Sequence, residues 1–467
     1  MMGGGHMDNL AMAKEHHFLL VSLAGLGQLN PTRQFARRIA RRTGSRVTVT
    51  SPVYSHRRLF PNSTCLSGEP DDACEENPLN PDGSGIVAYA PYSDGFDAGF
   101  HPHVGDHNRY MSELVSVGSR TVSSLVHALA RRGRPVTAVF YTILLTWAAD
   151  VARDLGVPAI HYWIQPASVF AIYYHYFSGH PAFASSSTTK DLPGLPPLRE
   201  QDLPSILLSP SPFLSSIRDI FADIRRSWEG KPKILVNTFH ELESPAIEWI
   251  SEIELVPIGP VVEEGFDTGE EGGYTEWLDK QEERSVVYVA FGSLSRTTAR
   301  QAEELERGLR ESGRPYLCVL REDARSEGVE IRVGEDGKGI VVKWCSQLRV
   351  LEHRAVGCFV THCGWNSMTE ALLTGVPMVM MPGWMDQRTN ASLAEALWGV
   401  GVRADEGADG VVEAAELQRC IDLVMGDGAK GEMIRKRAEE WREKAAAAIS
   451  DDGSSTKNMD AFLKGLL

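Results

Sequence analysis

Short apolar runs alternate with helical patterns along the first half of the chain. The runs with the length of buried strands are 17–27, 47–52, 138–145, 159–166 and 234–243. Between the first two, Asn30 to Arg42 has apolar residues at helical spacing and basic residues on the outer face. The segment WAADVARDLG, between the third and fourth runs, also has a helical pattern. Strands that alternate with helices predict a doubly wound parallel sheet, and the Pro-rich stretch at 192–204 predicts a loop.

The second half of the chain repeats this alternation after a break. Residues 262–274 are acidic, Gly-rich and without periodicity, which predicts a linker. The apolar run at 285–293 begins a second series, with the strand-like segments GIVVKW, GCFVTHCG and VPMVMMP and helical patterns between them. A polar, Ala-rich helix at 430–448 and an apolar helix from Met459 to Leu467 end the chain.

The chain length agrees with this two-part pattern, because 467 residues exceed one ordinary domain. We therefore predict an N-terminal domain at 16–261, an interdomain linker at 262–274 and a C-terminal domain at 275–448. The last segment, 449–467, is predicted as a terminal helix.

Composition and charge narrow the class of protein. A hydrophobic content of 43% and a charged content of 23% are typical of globular enzymes. The net charge of −15 argues against nucleic acid or an anionic membrane surface as a partner. The start of the chain has no apolar core of signal-peptide length, and no run of 18 apolar residues occurs, so we expect a cytoplasmic protein without membrane insertion.

The cysteines do not indicate a disulfide framework or a metal site. There are seven, an odd number, and no CxxC pair occurs even where Cys345, Cys358 and Cys363 lie near each other. Free thiols in a reducing compartment are the expected state. A cofactor is also not expected, because Gly25-Leu26-Gly27 lacks the third glycine of a dinucleotide-binding fingerprint.

The most informative stretch runs from Trp344 to Gln387. Within it, CFVTHCG has the form of a buried strand that turns at Gly364, and Trp365-Asn366-Ser367 then opens an apolar-periodic helix. Asn366 and Ser367 are common helix-capping residue types. The N-terminus of a helix after a strand is also an anion site. These residues alone leave capping and phosphate binding both open.

The length and order of this stretch resemble the signature box of plant family 1 UDP-glycosyltransferases, without gap or insertion. The resemblance implies the GT-B architecture, which consists of two Rossmann-like domains facing across a cleft, with the last helix returning to the N-terminal domain. The loop at 92–97, the aromatic stretch 163–180 and the segment that contains WAADVAR look closest to the anthocyanin 5-O-glucosyltransferase-like and glucose-ester-forming branch.

The resemblance also implies roles for the residues of the box. Trp344 would stack on uracil, Gln347 would meet the uracil or ribose, and Glu370 would accept hydrogen bonds from the ribose hydroxyls. The diphosphate would contact His362, Asn366 and Ser367, and Asp386 and Gln387 would hold the sugar hydroxyls. The full set implied to bind the UDP-sugar is Ser293, Trp344, Cys345, Gln347, His362, Gly364, Trp365, Asn366, Ser367, Glu370, Asp386 and Gln387.

Acceptor residues are implied in the same way. Tyr92 to Asp97 looks like the family's SDG loop, although its plain interpretation is an Asp-Gly turn. The aromatic stretch 163–180 has helical spacing that core packing would also explain. The residues implied for the acceptor pocket are Asp94, Phe96, Tyr173, Phe177 and Trp384.

One departure from the family pattern concerns catalysis. The family's first loop reads G-H-x-N-P and its His is the general base, whereas this chain has Gln28 in Gly27-Gln28-Leu29-Asn30-Pro31. An amide cannot accept a proton at neutral pH. The Asp that orients the base in many relatives aligns with Thr142 here, so neither member of the His-Asp dyad is present.

Four explanations of Gln28 are open from the sequence. The acceptor is already ionised, as a carboxylic acid is at neutral pH; another base substitutes, with His101, His103 or His175 as candidates; the protein binds UDP-sugar with little turnover; or the Gln was introduced to trap a complex. The first two are favoured.

The resemblance therefore implies a metal-independent, inverting UDP-glycosyltransferase that acts on a small aromatic or lipophilic acceptor as a monomer. UDP-glucose is the favoured donor because Gln387 closes the box, where His is often associated with galactose. The rivals are a catalytically weak UDP-sugar-binding protein and another GT-B activity such as a sugar-nucleotide epimerase.

Overall fold

The computed structural model describes residues 16–100, 105–208, 211, 213–226, 230–262, 273–292, 298–320 and 337–467. Its strands are β1 His17–Val21, β2 Arg46–Pro52, β3 Asp71–Glu75, β4 Ile86–Tyr92, β5 Ala138–Tyr141, β6 Ala159–Trp163, β7 Thr189–Lys190, β8 Leu198–Arg199, β9 Lys233–Val236, β10 Glu254–Pro257, β11 Val286–Ala290, β12 Tyr316–Val319, β13 Gly339–Val342, β14 Val356–Thr361, β15 Met378–Met380 and β16 Gly401–Arg403.

Its helices are α1 Leu26–Thr43, α2 Val53–Leu59, α3 His107–Arg131, α4 Trp147–Asp154, α5 Ala167–Phe177, α6 Pro181–Ala184, α7 Ser205–Leu208, α8 Phe213–Arg226, α9 His240–Trp249, α10 Tyr274–Asp279, α11 Ala299–Glu311, α12 Gln347–Leu351, α13 Trp365–Thr374, α14 Gln387–Leu393, α15 Ala414–Met425, α16 Ala429–Ile449 and α17 Ser454–Lys464. A 3₁₀ turn at Glu200–Asp202 precedes α7, and a π-helical turn at Ala394–Trp398 follows α14.

Two parallel sheets organise the chain, and this confirms the predicted fold class. The first has the order β10-β9-β6-β5-β1-β2-β4-β3, and only its edge strand β3 is antiparallel to its neighbour. The second has the order β13-β12-β11-β14-β15-β16 with all pairs parallel. Strands such as β1, β11 and β14 are buried along their whole length, as expected when helices cover both faces of a sheet.

Each sheet has a point where the direction of strand order reverses. In the first sheet this point lies between β1 and β5, and in the second it lies between β11 and β14. Ligands bind in open α/β sheets at the crevice beyond the carboxyl ends of the two strands at such a point. The two crevices are therefore bordered by the residues that follow these four strands.

The structure differs from the sequence prediction in several places. Strands β3, β4, β10, β12 and β16 were not predicted. Helix α1 begins at Leu26 rather than Asn30, because Gly25 takes the left-handed backbone (φ 96°) that turns the chain directly from β1 into the helix. The Pro-rich stretch contains one strand of the small antiparallel pair β7–β8 instead of being a plain loop. Short polar or Pro-rich segments carry no clear periodicity, so pairing by a distant partner decides their structure.

The terminal helix α17 contacts the N-terminal domain. Met459 and Leu463 are buried in the same core cluster as β1, β2 and α1. Arg42 donates to both carboxylate oxygens of Asp460 at 2.5 Å, and Asn458 donates to the carbonyl of Pro257 at 2.9 Å. The exact limits of the two domains stay a prediction, because residues 263–272 of the predicted linker lie outside the described residues.

In the part of the chain that the structure describes, each helix is too short or too polar to cross a bilayer.

Candidate active site

Residues predicted to bind the donor lie at the carboxyl ends of the second sheet. His362 follows β14, Gly292 follows β11, Trp344 follows β13, and the Gly383–Gln387 loop follows β15. The parallel direction of these strands brings their carboxyl ends to one edge, so residues far apart in sequence share one crevice.

The N-terminus of α13 faces this crevice without a side-chain cap. Gly364 is the N-cap residue, and no side chain accepts a hydrogen bond from the first turn. Asn366 and Ser367 instead make contacts elsewhere, since the first donates to the carbonyl of Gly27 and the second accepts from Gln347. Of the two interpretations open from sequence, the capping one is therefore wrong, and the first-turn N–H groups are left to meet an anion.

Two glycines make room for the His362 imidazole at this helix end. A Cβ added to Gly364 would lie 2.5 Å from His362 Nε2, and one added to Gly292 would lie 2.6 Å from it. Burial lowers the pKa of His362 to about 4, although the backbone at Ala290 opposes this shift. The ring is therefore neutral at pH 7, and its Nδ1 is buried without a hydrogen-bond partner. It can offer one N–H to a ligand without being a cation.

The Glu370 carboxylate lies one helical turn further along α13, where Gln347 of α12 contacts it. Gln347 donates to Glu370 Oε2 at 2.5 Å and to Ser367 Oγ at 2.9 Å. Behind it, the Tyr288 hydroxyl contacts Cys345 Sγ at 3.4 Å, so Cys345 packs in the wall of the site as a buried thiol. Burial raises the pKa of Glu370 to about 7, and the Gln347 hydrogen bond acts against that rise. Glu370 thus changes charge close to physiological pH.

Two tryptophans of the box are exposed, which is unusual for so large an apolar side chain. Trp344 is 37% exposed and Trp384 is 40% exposed. An exposed indole offers a flat face for stacking on a planar ring. Trp365 differs from both, because it is buried against Trp398 and donates its Nε1–H to the carbonyl of Asn237 at 2.7 Å.

Asp386 and Gln387 are buried where the loop after β15 passes into α14. Asp386 accepts from Asn390 Nδ2 at 2.8 Å and from Gln165 Nε2 at 3.0 Å. Burial raises the pKa of Asp386 above its usual value, against the effect of these two hydrogen bonds. Gln387 Oε1 accepts from the backbone N–H groups of Gly383 and Trp384, at 2.9 and 3.2 Å, which fixes the loop and leaves the amide donor end available.

One hydrogen bond links the donor box to the first loop of the N-terminal domain. Asn366 Nδ2 donates to the carbonyl of Gly27 at 3.1 Å. In a regular helix, Gly27 would accept from the N–H of residue 31, but Pro31 has none. The proline therefore frees the carbonyl that Asn366 uses, and the two domains meet beside residue 28.

Gln28 and Thr142 lie at the reversal point of the first sheet, beyond β1 and β5. Gln28 is in the first turn of α1, and its Oε1 is buried without a hydrogen-bond partner. Thr142 directly follows β5, is 1% exposed, and has an unpartnered hydroxyl. Buried polar atoms are normally satisfied, so these two mark places where a ligand atom would complete the bonding.

The predicted acceptor-pocket residues have different environments. Asp94 is buried and accepts from the backbone N–H of Phe96 at 2.9 Å, which holds the turn, and burial raises its pKa. Phe96 packs on Phe100 and against the core cluster of α3 and α4. Tyr173 is fully buried in the cluster of α5 and α8 with its hydroxyl unpartnered, and Phe177 packs at the edge of that cluster.

The candidate substitute bases find no support among the described residues. His175 is buried, its Nε2 lies 3.2 Å from the carbonyl of Pro193, and burial lowers its pKa. His101 and His103 lie outside the described residues, as does Ser293 of the donor set.

Several residues that contact the site were not found from the sequence. Gln165 follows β6 and bonds Asp386, Asn390 bonds the same carboxylate from α14, and Tyr288 backs Gln347. A buried strand followed by Gln-Pro is a weak signal for the first of these. The others have no local signal, because their roles depend on packing between distant segments.

Comparisons with known proteins agree with this geometry. A family model described as UDP-glucoronosyl and UDP-glucosyl transferase matches residues 271–435. The chain is 41% identical to UDP-glycosyltransferase 75C1 of Solanum lycopersicum, over 96% of this chain and 98% of that protein. It is 40% identical to anthocyanidin 3-O-glucoside 5-O-glucosyltransferase 1 of Perilla frutescens, over 95% and 97% of the two chains. The crystal structure of Os79 from O. sativa, in complex with U2F and trichothecene, superposes with a TM-score of 0.81 at 32% identity, covering 96% of this chain and 100% of that one.

Proposed function

We propose, from the premise that this chain belongs to the plant family 1 UDP-glycosyltransferases, that it transfers glucose from UDP-glucose to an acceptor that is ionised before it reacts. The chain is an enzyme that moves a sugar from a UDP-sugar to a small molecule. The observation that carries the finer proposal is the combination of a complete donor box with Gln28 and Thr142 at the two base positions.

The donor is held by groups arranged in the order of its parts. Trp344 stacks on the uracil, Glu370 accepts from the ribose hydroxyls, and the uncapped start of α13 with the neutral His362 meets the diphosphate. Asp386 and Gln387 hold the sugar. The exposure of Trp344, the free first-turn N–H groups and the buried carboxylate of Asp386 support this order.

The reaction exchanges one bond at the sugar C1. An acceptor oxygen attacks C1 on the side opposite UDP, the bond from C1 to the β-phosphate oxygen breaks, and the electron pair leaves with UDP. The N–H groups of α13 stabilise that leaving charge because they are already oriented toward it. An ionised acceptor carries no proton to remove, so the amide of Gln28 suffices if it donates a hydrogen bond to the attacking carboxylate or phenolate.

We propose that the N-terminal domain supplies most of the acceptor-binding residues. We assign the SDG loop around Asp94 and Phe96, and Tyr173 and Phe177 of the cluster of α5 and α8, to this domain's part of the site, and the exposed Trp384 to the part from the C-terminal domain. We propose a small aromatic or lipophilic carboxylic acid, or an acidic phenol, as acceptor, giving a glucose ester or a β-glucoside. We also propose that the protein works as a monomer in the cytoplasm.

Product analysis tests the proposed reaction. Incubation of the full chain with UDP-glucose and aromatic carboxylic acids should release UDP and form a glucose ester with the β configuration at C1, identified by mass spectrometry and proton NMR. UDP-glucose binding without product from any acid or phenol would contradict the proposal and would identify a UDP-sugar-binding protein instead.

UDP-glucose affinity should depend on pH through Glu370. Because burial raises the pKa of Glu370 to about 7, the carboxylate predominates at pH 8 and the protonated form at pH 6. The carboxylate accepts ribose hydroxyls better, so affinity should be up to about tenfold weaker at pH 6 than at pH 8, following the protonated fraction. The phosphates of UDP-glucose do not titrate in this range. Calorimetric titration measures the effect, and Glu370→Gln should bind more weakly with a flat profile; an equal slope in that variant would contradict the assignment.

A further inference from the structure

The loop that carries Asp386 and Gln387 has a strained backbone. We call residues Gly383–Gln387 the sugar loop. Within it, Met385 has a left-handed backbone conformation, with φ of 60°, which a side chain other than glycine rarely adopts. Such a conformation persists only where surrounding contacts over-determine it. The contacts that hold Met385 therefore decide where the next two residues lie.

Those contacts come from the N-terminal domain. The Ser205 backbone N–H donates to the Met385 carbonyl at 2.8 Å, and the Met385 N–H donates to Ser205 Oγ at 2.7 Å. The Met385 side chain packs against the core cluster formed by α5 and α8. Both backbone polar groups and the side chain of the strained residue are thus held by the opposite domain.

A buried ion pair fixes the segment that bears Ser205. Asp202 is 1% exposed and accepts from Arg403 of the C-terminal domain at 2.5 Å and from Arg199 of its own segment at 2.7 Å. The carbonyl of Asp202 accepts from the Thr389 hydroxyl of α14 at 2.7 Å. The 3₁₀ turn before α7 is consequently attached to the C-terminal domain at two points, α14 and β16.

A separate element reaches the sugar-binding carboxylate itself. Gln165, which follows β6, donates through Nε2 to Asp386 Oδ1 at 3.0 Å. The other oxygen of Asp386 is held by Asn390 of the C-terminal domain. Gln165 is 7% exposed, and its Oε1 is buried without a hydrogen-bond partner. An acceptor atom left open beside the carboxylate is available to a sugar hydroxyl.

We infer that Ser205 and Gln165 are positioning residues for the transferred sugar, so that the N-terminal domain completes the sugar site of the C-terminal domain. Gln347 and Glu370, which are assigned to the uracil and ribose, bond within the C-terminal domain, whereas the sugar loop is held by both domains. The sugar's place in this loop rests on the proposed function. Removing these contacts should weaken recognition of the sugar while leaving recognition of UDP intact.

Two ligands that differ by the sugar provide the test. Calorimetry on the full chain would compare UDP with UDP-2-deoxy-2-fluoroglucose for Ser205→Ala and Gln165→Leu. We expect the dissociation constant of the sugar nucleotide to rise about tenfold or more in each variant, as for loss of a hydrogen bond to a charged or strained group, and that of UDP to stay within about twofold. Ser205→Thr keeps the hydroxyl and should restore binding. Gln201→Ala, an exposed neighbour of Asp202, is the matched control and should change neither constant.

Equal weakening of both ligands would overturn the inference, because it would mean that the contacts only stabilise the domain interface. No change with either ligand would overturn it as well. The use of two variants on different elements, each compared with wild type by thermal unfolding, separates loss of fold from loss of positioning. Since binding needs no turnover, the result is distinguishable from a failure to find an acceptor.

Discussion

Replacing Gln28 with histidine should raise kcat/KM for neutral phenol or alcohol acceptors by about 10²–10⁴-fold, the usual contribution of a general base. The same substitution should change kcat/KM for a carboxylic acid by no more than a few-fold. Gln28 lies in the first turn of α1, beyond β1 at the sheet's reversal point and next to the Gly27 carbonyl that the donor box contacts. An imidazole there would reach the acceptor side of the same crevice.

The reason for this split is the acceptor's own acidity. A carboxylic acid has a pKa near 4 and is ionised at neutral pH, so a base adds nothing to its attack. A phenol with an ordinary pKa near 10 is almost entirely protonated and needs its proton removed. Steady-state kinetics on an acid and a phenol of the same scaffold would measure both effects.

A double substitution sharpens this prediction. Thr142 occupies the end of the neighbouring strand β5, where an aspartate would orient the new imidazole. Gln28→His with Thr142→Asp should therefore exceed the single variant with the phenol, whereas Thr142→Asp alone should not gain activity. Gln28→Leu, which has no donor and no base, is the matched control. A wild-type protein already as fast with the phenol as the His variant would contradict this account of Gln28.

Asp386→Asn should lower kcat/KM for UDP-glucose by about 10²-fold. The carboxylate is buried, and the side chains of the described residues that donate to it, Gln165 and Asn390, are amides. An asparagine would turn its own NH₂ toward at least one of these donors and would lose a charge-assisted bond to the sugar. Hydrogen bonds to charged groups contribute about 1.5–3 kcal/mol each, which corresponds to roughly ten- to a hundredfold per bond.

The loss should be confined to the sugar. UDP, which lacks the sugar, should bind to Asp386→Asn nearly as tightly as to the wild-type protein when both dissociation constants are measured by calorimetric titration. Asp427→Asn, an exposed carboxylate outside the site, is the matched control and should leave both values unchanged. An unchanged kcat/KM for UDP-glucose in Asp386→Asn would exclude this carboxylate from sugar binding.

The parts of the fold that periodicity predicts are those that local sequence determines. The buried strands β1, β5, β11 and β14 are largely apolar runs. Helix α13 begins directly after Gly364, once strand β14 has ended at Thr361. Strands β3, β4, β10, β12 and β16 and the pair β7–β8 were missed. The antiparallel edge strand β3 and the pair β7–β8 have short mixed sequences that gain structure only from the strand beside them.

The site likewise has a part that local sequence determines and a part that it does not. The box between Trp344 and Gln387 is contiguous enough to be recognised, and the structure gathers it at one edge of the second sheet. Contacts across the cleft, such as Gly27 with Asn366 and Ser205 with Met385, join residues 339 and 180 positions apart. No local pattern encodes them. The residue type of Asn366 suits helix capping, but its side chain instead donates to the Gly27 carbonyl of the other domain.

The pH dependence of kcat/KM for acceptors of different pKa tests the central claim most directly, because the claim is that ionisation belongs to the acceptor and not to a protein base. For a series of phenols on one scaffold, assayed at saturating UDP-glucose so that the titration of Glu370 does not enter, the wild-type profile should rise tenfold per pH unit and level off at each phenol's own pKa. A carboxylic acid should give no such rise above its own pKa. A break at one fixed pH, whatever the acceptor, would contradict the account, because it would report the titration of a base in the protein.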